Sequence, residues 1–194
     1  MSSEYHHGDL RNALIREGLR IINEEGLEKL SIRKVAAACG VSHAAPKAHF
    51  QNKEALLCEI RKYVTEQFME ELSDAIHREE KNGMDAAVIS MGKQYVRFFM
   101  EHPDYYRFFF CQQQADSIHL NLAVDAPKDF PPFRLFRAQM IRYNESLEEP
   151  MAEKALEEEM IKAWTVVHGI ASIACMDNVV YDGSWEELIE KLIR

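Results

Sequence analysis

The chain has 194 residues, of which 47% are hydrophobic, with only eight glycines and six prolines. That composition excludes a disordered or collagen-like chain and suffices for one or two packed domains. The formal charge of −9 opposes nucleic acid on average. Residues 1–62, however, hold ten Lys/Arg against eight Asp/Glu, and the acidic excess lies entirely in residues 63–194; screening beyond about 8–10 Å lets a basic head on an acidic body meet phosphate.

The opening MSSEYHHGDL has no apolar core segment, and its two adjacent histidines make no metal site. The apolar stretch from Trp164 to Met176 contains His168 and is too short to cross a bilayer. No secretory signal and no membrane association are expected, and the location expected is cytoplasmic. Cys39, Cys58, Cys111 and Cys175 are scattered with no C-x-x-C pair, which argues against zinc and disulfides and predicts buried thiols in a reducing compartment.

Period-3.6 patterns recur throughout and no period-2 run persists, so the fold class is all-α. Asp9 can cap a first helix with Leu10, Ala13, Leu14, Ile21 and Ile22 on its apolar face, stopped by Gly26. Ser31 can cap a second, with Ile32, Val35, Ala36 and Cys39 on one face, followed by Gly40 in a tight turn. Ser42 offers the next cap, opening a short helix through Phe50, and Asn52 caps a long one carrying Leu56, Leu57, Ile60, Val64, Phe68, Leu72 and Ile76. Two short helices across a Cys-Gly-Val corner have the geometry of a helix-turn-helix. Residues 1–62 form the expected head and residues 63–194 a second helical unit.

In that unit, breakers at Gly83, Pro103, Pro131-Pro132, Pro150 and Gly183 separate expected helices at about 84–101, 103–112, 132–148, 152–181 and 184–193. Gln113 to Pro132 reads as a long loop. The run from Ala163 to Met176 is apolar on nearly every side, which predicts a helix buried all round. Ser184-Trp185-Glu186-Glu187 is a capping box, and the stripe Trp185, Leu188, Ile189, Leu192, Ile193 must cover either this chain's core or a second copy.

Residues 5–57 carry these elements together: YHHGDLRNAL, LSIRKVAAACGVSHAAPKAHF and NKEALL. They resemble the DNA-binding domain of TetR-type transcriptional regulators. Trp164-Thr-Val-Val-His168-Gly169 further resembles a subgroup whose ligand-binding domain carries Trp-x-x-x-His-Gly. The resemblance implies a homodimer joined through the last two helices, gripping a double-stranded, near-palindromic operator and released from it by a small organic effector.

A recognition helix places the side chains of its N-terminus in the major groove while neighbours hold phosphates. The candidates are Ser42, His43, Ala44, Lys47 and His49 at the reader, with Arg33, assisted by Lys34, and Lys53 on phosphate. Without the resemblance, Arg33 and His43 read as solvated surface, and His49 can face either DNA or the next helix. Pro46 sits near the start of the reader, where its missing N–H costs little. Relatives commonly place Tyr where this chain has Lys47, followed by a basic or aromatic residue where it has Ala48. That predicts a retuned reader leaning on phosphate, or else a weakened head.

Phe98, Phe99, Tyr106, Phe109, Phe110, Phe133, Met140, Trp164 and His168 are the candidate effector residues. Aromatic side chains at helical spacing equally build a core, and His168 equally fits a hydrogen-bonded core histidine. No G-x-S-x-G, phosphate-cradling Gly-rich loop or H-E-x-x-H occurs, so no catalytic residue, metal or cofactor is expected. Glu157, Glu158 and Glu159 read as a solvated face with Lys154 and Lys162 as ion-pair partners. Two alternatives stay open: a TetR-like protein acting mainly by protein contacts, and an unrelated helical small-molecule binder or enzyme.

Overall fold

The computed structural model describes residues 7–110, 117–122 and 129–194, with only the backbone of residues 7–9. Among them the fold is all-α: α1 His7–Glu25, α2 Ile32–Ala38, α3 Lys53–Glu79, α4 Met84–Glu101, α5 Pro103–Phe110, α6 Pro131–Glu145, α7 Glu153–Ala174 and α8 Trp185–Leu192. The chain forms two compact units that divide between Glu66 and Gln67, inside α3.

In the first unit, α1 buries Leu14, Ile15, Leu19, Ile21 and Ile22 in a core shared with Leu30, Val35, Ala36, Phe50, Leu56 and Ile60. Gly18 permits this packing, because a Cβ there would stand 2.8 Å from Ile60 Cδ1. The helix begins at His7, so Asp9 lies inside its first turn rather than at its cap. Ser31 caps α2 as expected, its Oγ accepting the Lys34 N–H at 3.2 Å. Gly40, with φ 69°, makes the left-handed turn that a side chain would disfavour. Asn52 Oδ1 accepts the Ala55 N–H at 2.8 Å and so caps α3.

The short helix expected from Ser42 is instead a 3-10 turn, Ala45–Ala48, preceded by Ala44, which offers no capping side chain. Pro46 explains the difference. An α-helix would bring the N–H of residue 46 to the Ser42 carbonyl, but proline has none, and the Ala45 N–H takes that carbonyl at 3.0 Å. The Pro46 carbonyl then accepts both the His49 and Phe50 N–H groups, closing the turn.

In the second unit, α4 packs on α6, α7 and α8. Phe68, Phe98, Phe99 and Phe109 fill the centre, with Phe68 and Phe98 stacked at 4.6 Å between ring centres and Phe98 and Phe99 edge-on at 5.3 Å. Ser184 caps α8 by accepting the Glu187 N–H. The helix expected to reach residue 181 ends at Ala174. The buried-all-round expectation also fails among the described residues: Val166 and Ile173 of α7 and Met176 just after it are 41%, 48% and 47% exposed, and none of the described elements covers that side. Of the thiols, Cys175 is buried, Cys39 half-buried and Cys58 exposed. Burial therefore holds for only one of these three, and Cys111 lies outside the described residues.

On either side of residues 123–128, Ser117 and Asp129 pair as an isolated bridge and the Phe130 N–H donates to the Ser117 carbonyl at 2.9 Å. Asp129 is fully enclosed, accepting from Arg137 at 2.6 Å and from the His119 N–H at 3.1 Å. The same guanidinium donates to the His119 carbonyl and lies over the Phe133 ring. Burial opposes ionisation of Asp129, but these donors outweigh it and hold the carboxyl below its ordinary 3.8.

Candidate functional site

Two places could carry function. The first is the outer surface of the 3-10 turn. Pro46 and Phe50 point inward and are buried, so Ser42, His43, Ala44, Lys47 and Ala48 are left exposed. Inward anchoring at two positions fixes which residues face out. Arg33 is exposed on α2, whereas Lys34 is held in an ion pair with Glu25. His49 is half-buried, its ring 6.2 Å from that of Phe50.

Lys53 occupies the first turn of α3, and its Nζ donates to the Leu27 carbonyl at 2.8 Å. It therefore ties the start of α3 to the loop after α1, with two N–H donors remaining for an outside acceptor. Arg11 pairs with Glu59 and lies over Phe50, bracing the same turn from α1. Sequence reading missed Arg11, because its partners Glu59 and Phe50 lie far along the chain on other elements.

The second place is a cavity of about 210 Å³ in the second unit, partly open to solvent at Lys162, Val166, Leu192 and Arg194. Its walls come from α4 (Val88, Ile89, Met91, Gly92, Tyr95), from Phe110, Phe133 and Trp164, and from Val167 and Ile193. Of the nine residues expected around an effector, then, Phe110, Phe133 and Trp164 line the cavity. Phe98, Phe99, Phe109 and Met140 are instead enclosed in the surrounding core. Tyr106 and His168 stand behind the wall. Sequence reading missed the α4 residues although 88, 91, 92 and 95 share one helical face, because the aromatic density that marks a cavity in sequence lies around residues 95–110 and most of the α4 lining is aliphatic.

His168 is bracketed by hydroxyls: Tyr95 at 2.8 Å from Nδ1 and Tyr106 at 3.2 Å from Nε2. Its ring also packs on Phe110 and Trp164, with centres 4.8 and 5.0 Å apart. Burial lowers its pKa below the ordinary 6.5, so the ring is neutral, and one tyrosine donates to it while the other accepts. Burial, with Tyr106 adding to it, pushes the Tyr95 phenol well above its ordinary 10. No group of three or more His, Cys, Asp or Glu able to hold a metal occurs among the described residues. None of the described helices is long and apolar enough to cross a membrane.

Known proteins match both places. Residues 14–60 match the family of bacterial regulatory proteins of the tetR type, and residues 88–194 match the tetracyclin repressor-like C-terminal domain. The chain belongs to the tetR family. A 47-residue stretch is 45% identical to the tetracycline repressor protein class C of Escherichia coli, covering 24% of this chain and 22% of that protein. The match thus spans about a fifth of the length of that curated relative. Among solved structures, a Rhodococcus sp. RHA1 protein of unknown function superposes with TM-score 0.67 at 22% identity, covering 98% of this chain and 94% of the other. A TetR family transcription regulator from Marinobacter aquaeolei VT8 gives 0.62 at 19% identity, covering 95% and 93%. At such identities these structures establish the fold alone.

Proposed function

We propose that this protein is a dimeric DNA-binding transcriptional repressor whose hold on a palindromic operator is released when a small organic molecule enters the cavity. The observation that carries the reading is the 3-10 turn. In a head of this family, Pro46 and Phe50 anchor it inward so that Ser42, His43, Ala44 and Lys47 project together from the helix-turn-helix. His43 offers a donor or acceptor to a base edge, Ala44 a methyl for thymine, and Lys47 and Arg33 charges for phosphate. Lys53 both positions α3 and presents its remaining N–H groups to phosphate. Ala48 brings no polar group, so affinity leans on the backbone contacts.

Dimerisation is supported by the uncovered face of α7, where Ile161, Val166, Ile173 and Met176 are exposed beside Leu192 of α8. Gly169 shares that face, and a Cβ there would meet nothing within 4 Å. A helix-interior glycine costs roughly 0.5–1 kcal/mol relative to alanine, and close approach of a partner helix accounts for it. Trp164, His168 and Gly169 fit the Trp-x-x-x-His-Gly pattern of the subgroup that the sequence resembles.

The experiment is selection of binding duplexes from a random pool, followed by titration of the best palindrome and a scrambled version at one fixed salt concentration. A repressor prefers its operator by ~10³–10⁷. A ratio near unity means the head does not read sequence and favours action through protein contacts.

A further inference from the structure

If the cavity is the effector site, its walls define what can occupy it. The interior surface is built from Val88, Ile89, Met91, Phe110, Phe133 and Val167, all apolar. The charged lining residues, Glu159, Lys162 and Arg194, are exposed or half-exposed, and Glu159 and Lys162 neutralise each other as an ion pair at 3.2 Å. Inside, the polar side chains are Tyr95 and Trp164, and the Tyr95 hydroxyl is already engaged by His168. Among the described residues, neither of the two buried side-chain atoms without a partner, on Gln67 and Arg137, belongs to the lining. No wall group therefore requires a charged or strongly polar ligand.

We infer that the cavity selects an uncharged, mainly apolar molecule of roughly ten non-hydrogen atoms and rejects anions of the same size. The size follows from volume: an apolar cavity of ~150 Å³ accepts benzene, so 210 Å³ accepts a substituted ring or a short chain. Rejection follows from desolvation. A carboxylate entering the interior sheds its hydration and meets no cation there, because His168 behind the wall is neutral, Lys162 is outside and paired, and Arg194 stands at the exposed rim.

The test uses the full chain at pH 7.5 with matched probes: 1-octanol against octanoate, and 2-phenylethanol against phenylacetate. Calorimetric titration and thermal shift should show saturable 1:1 binding of the alcohols and at least hundredfold weaker binding of the carboxylates. Alcohol binding should vanish in Ala163→Phe and in Val88→Phe, each of which fills the space, circular dichroism confirming the fold of at least one. Octanoate binding as tightly as octanol and weakening in Lys162→Ala overturns the inference in favour of a tail-in, head-out amphiphile, while leaving the effector site standing. Alcohol binding that survives both filled variants overturns it as adsorption elsewhere. Silence of all four probes overturns the inference alone; the effector reading then stands or falls on whether any small molecule weakens operator binding.

Discussion

Asp129 and Arg137 are the residues whose removal should be felt most. Both are buried, and breaking such a pair leaves one charge enclosed without its partner. Asp129→Asn should cost roughly 3 kcal/mol in a urea titration; a loss under about 0.5 kcal/mol would mean the guanidinium relaxes to solvent. Because the folded carboxyl titrates below 3.8, its contribution is present above that pH and fades as pH falls through it. His168 acts in the opposite chemical sense. Its folded pKa is lowered by burial, so above pH 6.5 both folded and unfolded forms are neutral and it confers no pH dependence. Below 6.5 the unfolded chain binds the proton more readily, and stability falls. Unfolding midpoints measured from pH 7.5 to 5.5 should therefore drop less steeply for His168→Gln than for the unaltered chain. The role of Asp129 is not legible in sequence, and for His168 the sequence offers a hydrogen-bonded core histidine without naming its partners, which come from other elements at separations that no local pattern marks.

At the scale of elements, boundaries are legible wherever a breaker stands. Gly83 and Pro103 bracket α4, and Ser184 opens α8 where its capping box says. Where no breaker stands the expectation overran. α7 stops at Ala174, ahead of Asp177, Asn178, Val179, Val180 and Tyr181, all residues of low helix propensity, an effect too weak to read against an apolar run. The reader itself was legible in place but not in kind, since one proline converts it to a 3-10 turn. Lys53 links that turn to function by two routes that one substitution separates. Lys53→Ala should lower stability by about 1 kcal/mol through the lost Leu27 bond and also flatten the salt dependence of operator binding. Lost stability with an unchanged salt slope would leave Lys53 a positioning residue only.

For the whole molecule, the expectation of a helix buried all round carried more than a single chain can satisfy. The exposed face of α7 gives it physical sense once a second copy covers Val166, Gly169, Ile173 and Met176. Ile173→Glu should then yield monomers by light scattering at micromolar concentration, with operator affinity falling toward the non-specific level. A dimer that persists in this variant would place the interface elsewhere. The aromatic clusters are legible as a group, but which rings fill the core and which face space is decided by how α4, α6 and α7 pack, and packing is not written in any one helix.

If the proposed function holds, occupation of the cavity weakens the grip of the head on its operator. Fluorescence anisotropy of a labelled operator, titrated with protein at fixed salt, with and without saturating 1-octanol, measures this. Operator binding at least tenfold weaker in its presence, with binding to scrambled DNA and the Ala163→Phe variant unaffected, is the result expected. Unchanged operator affinity while calorimetry shows the cavity filled would contradict it.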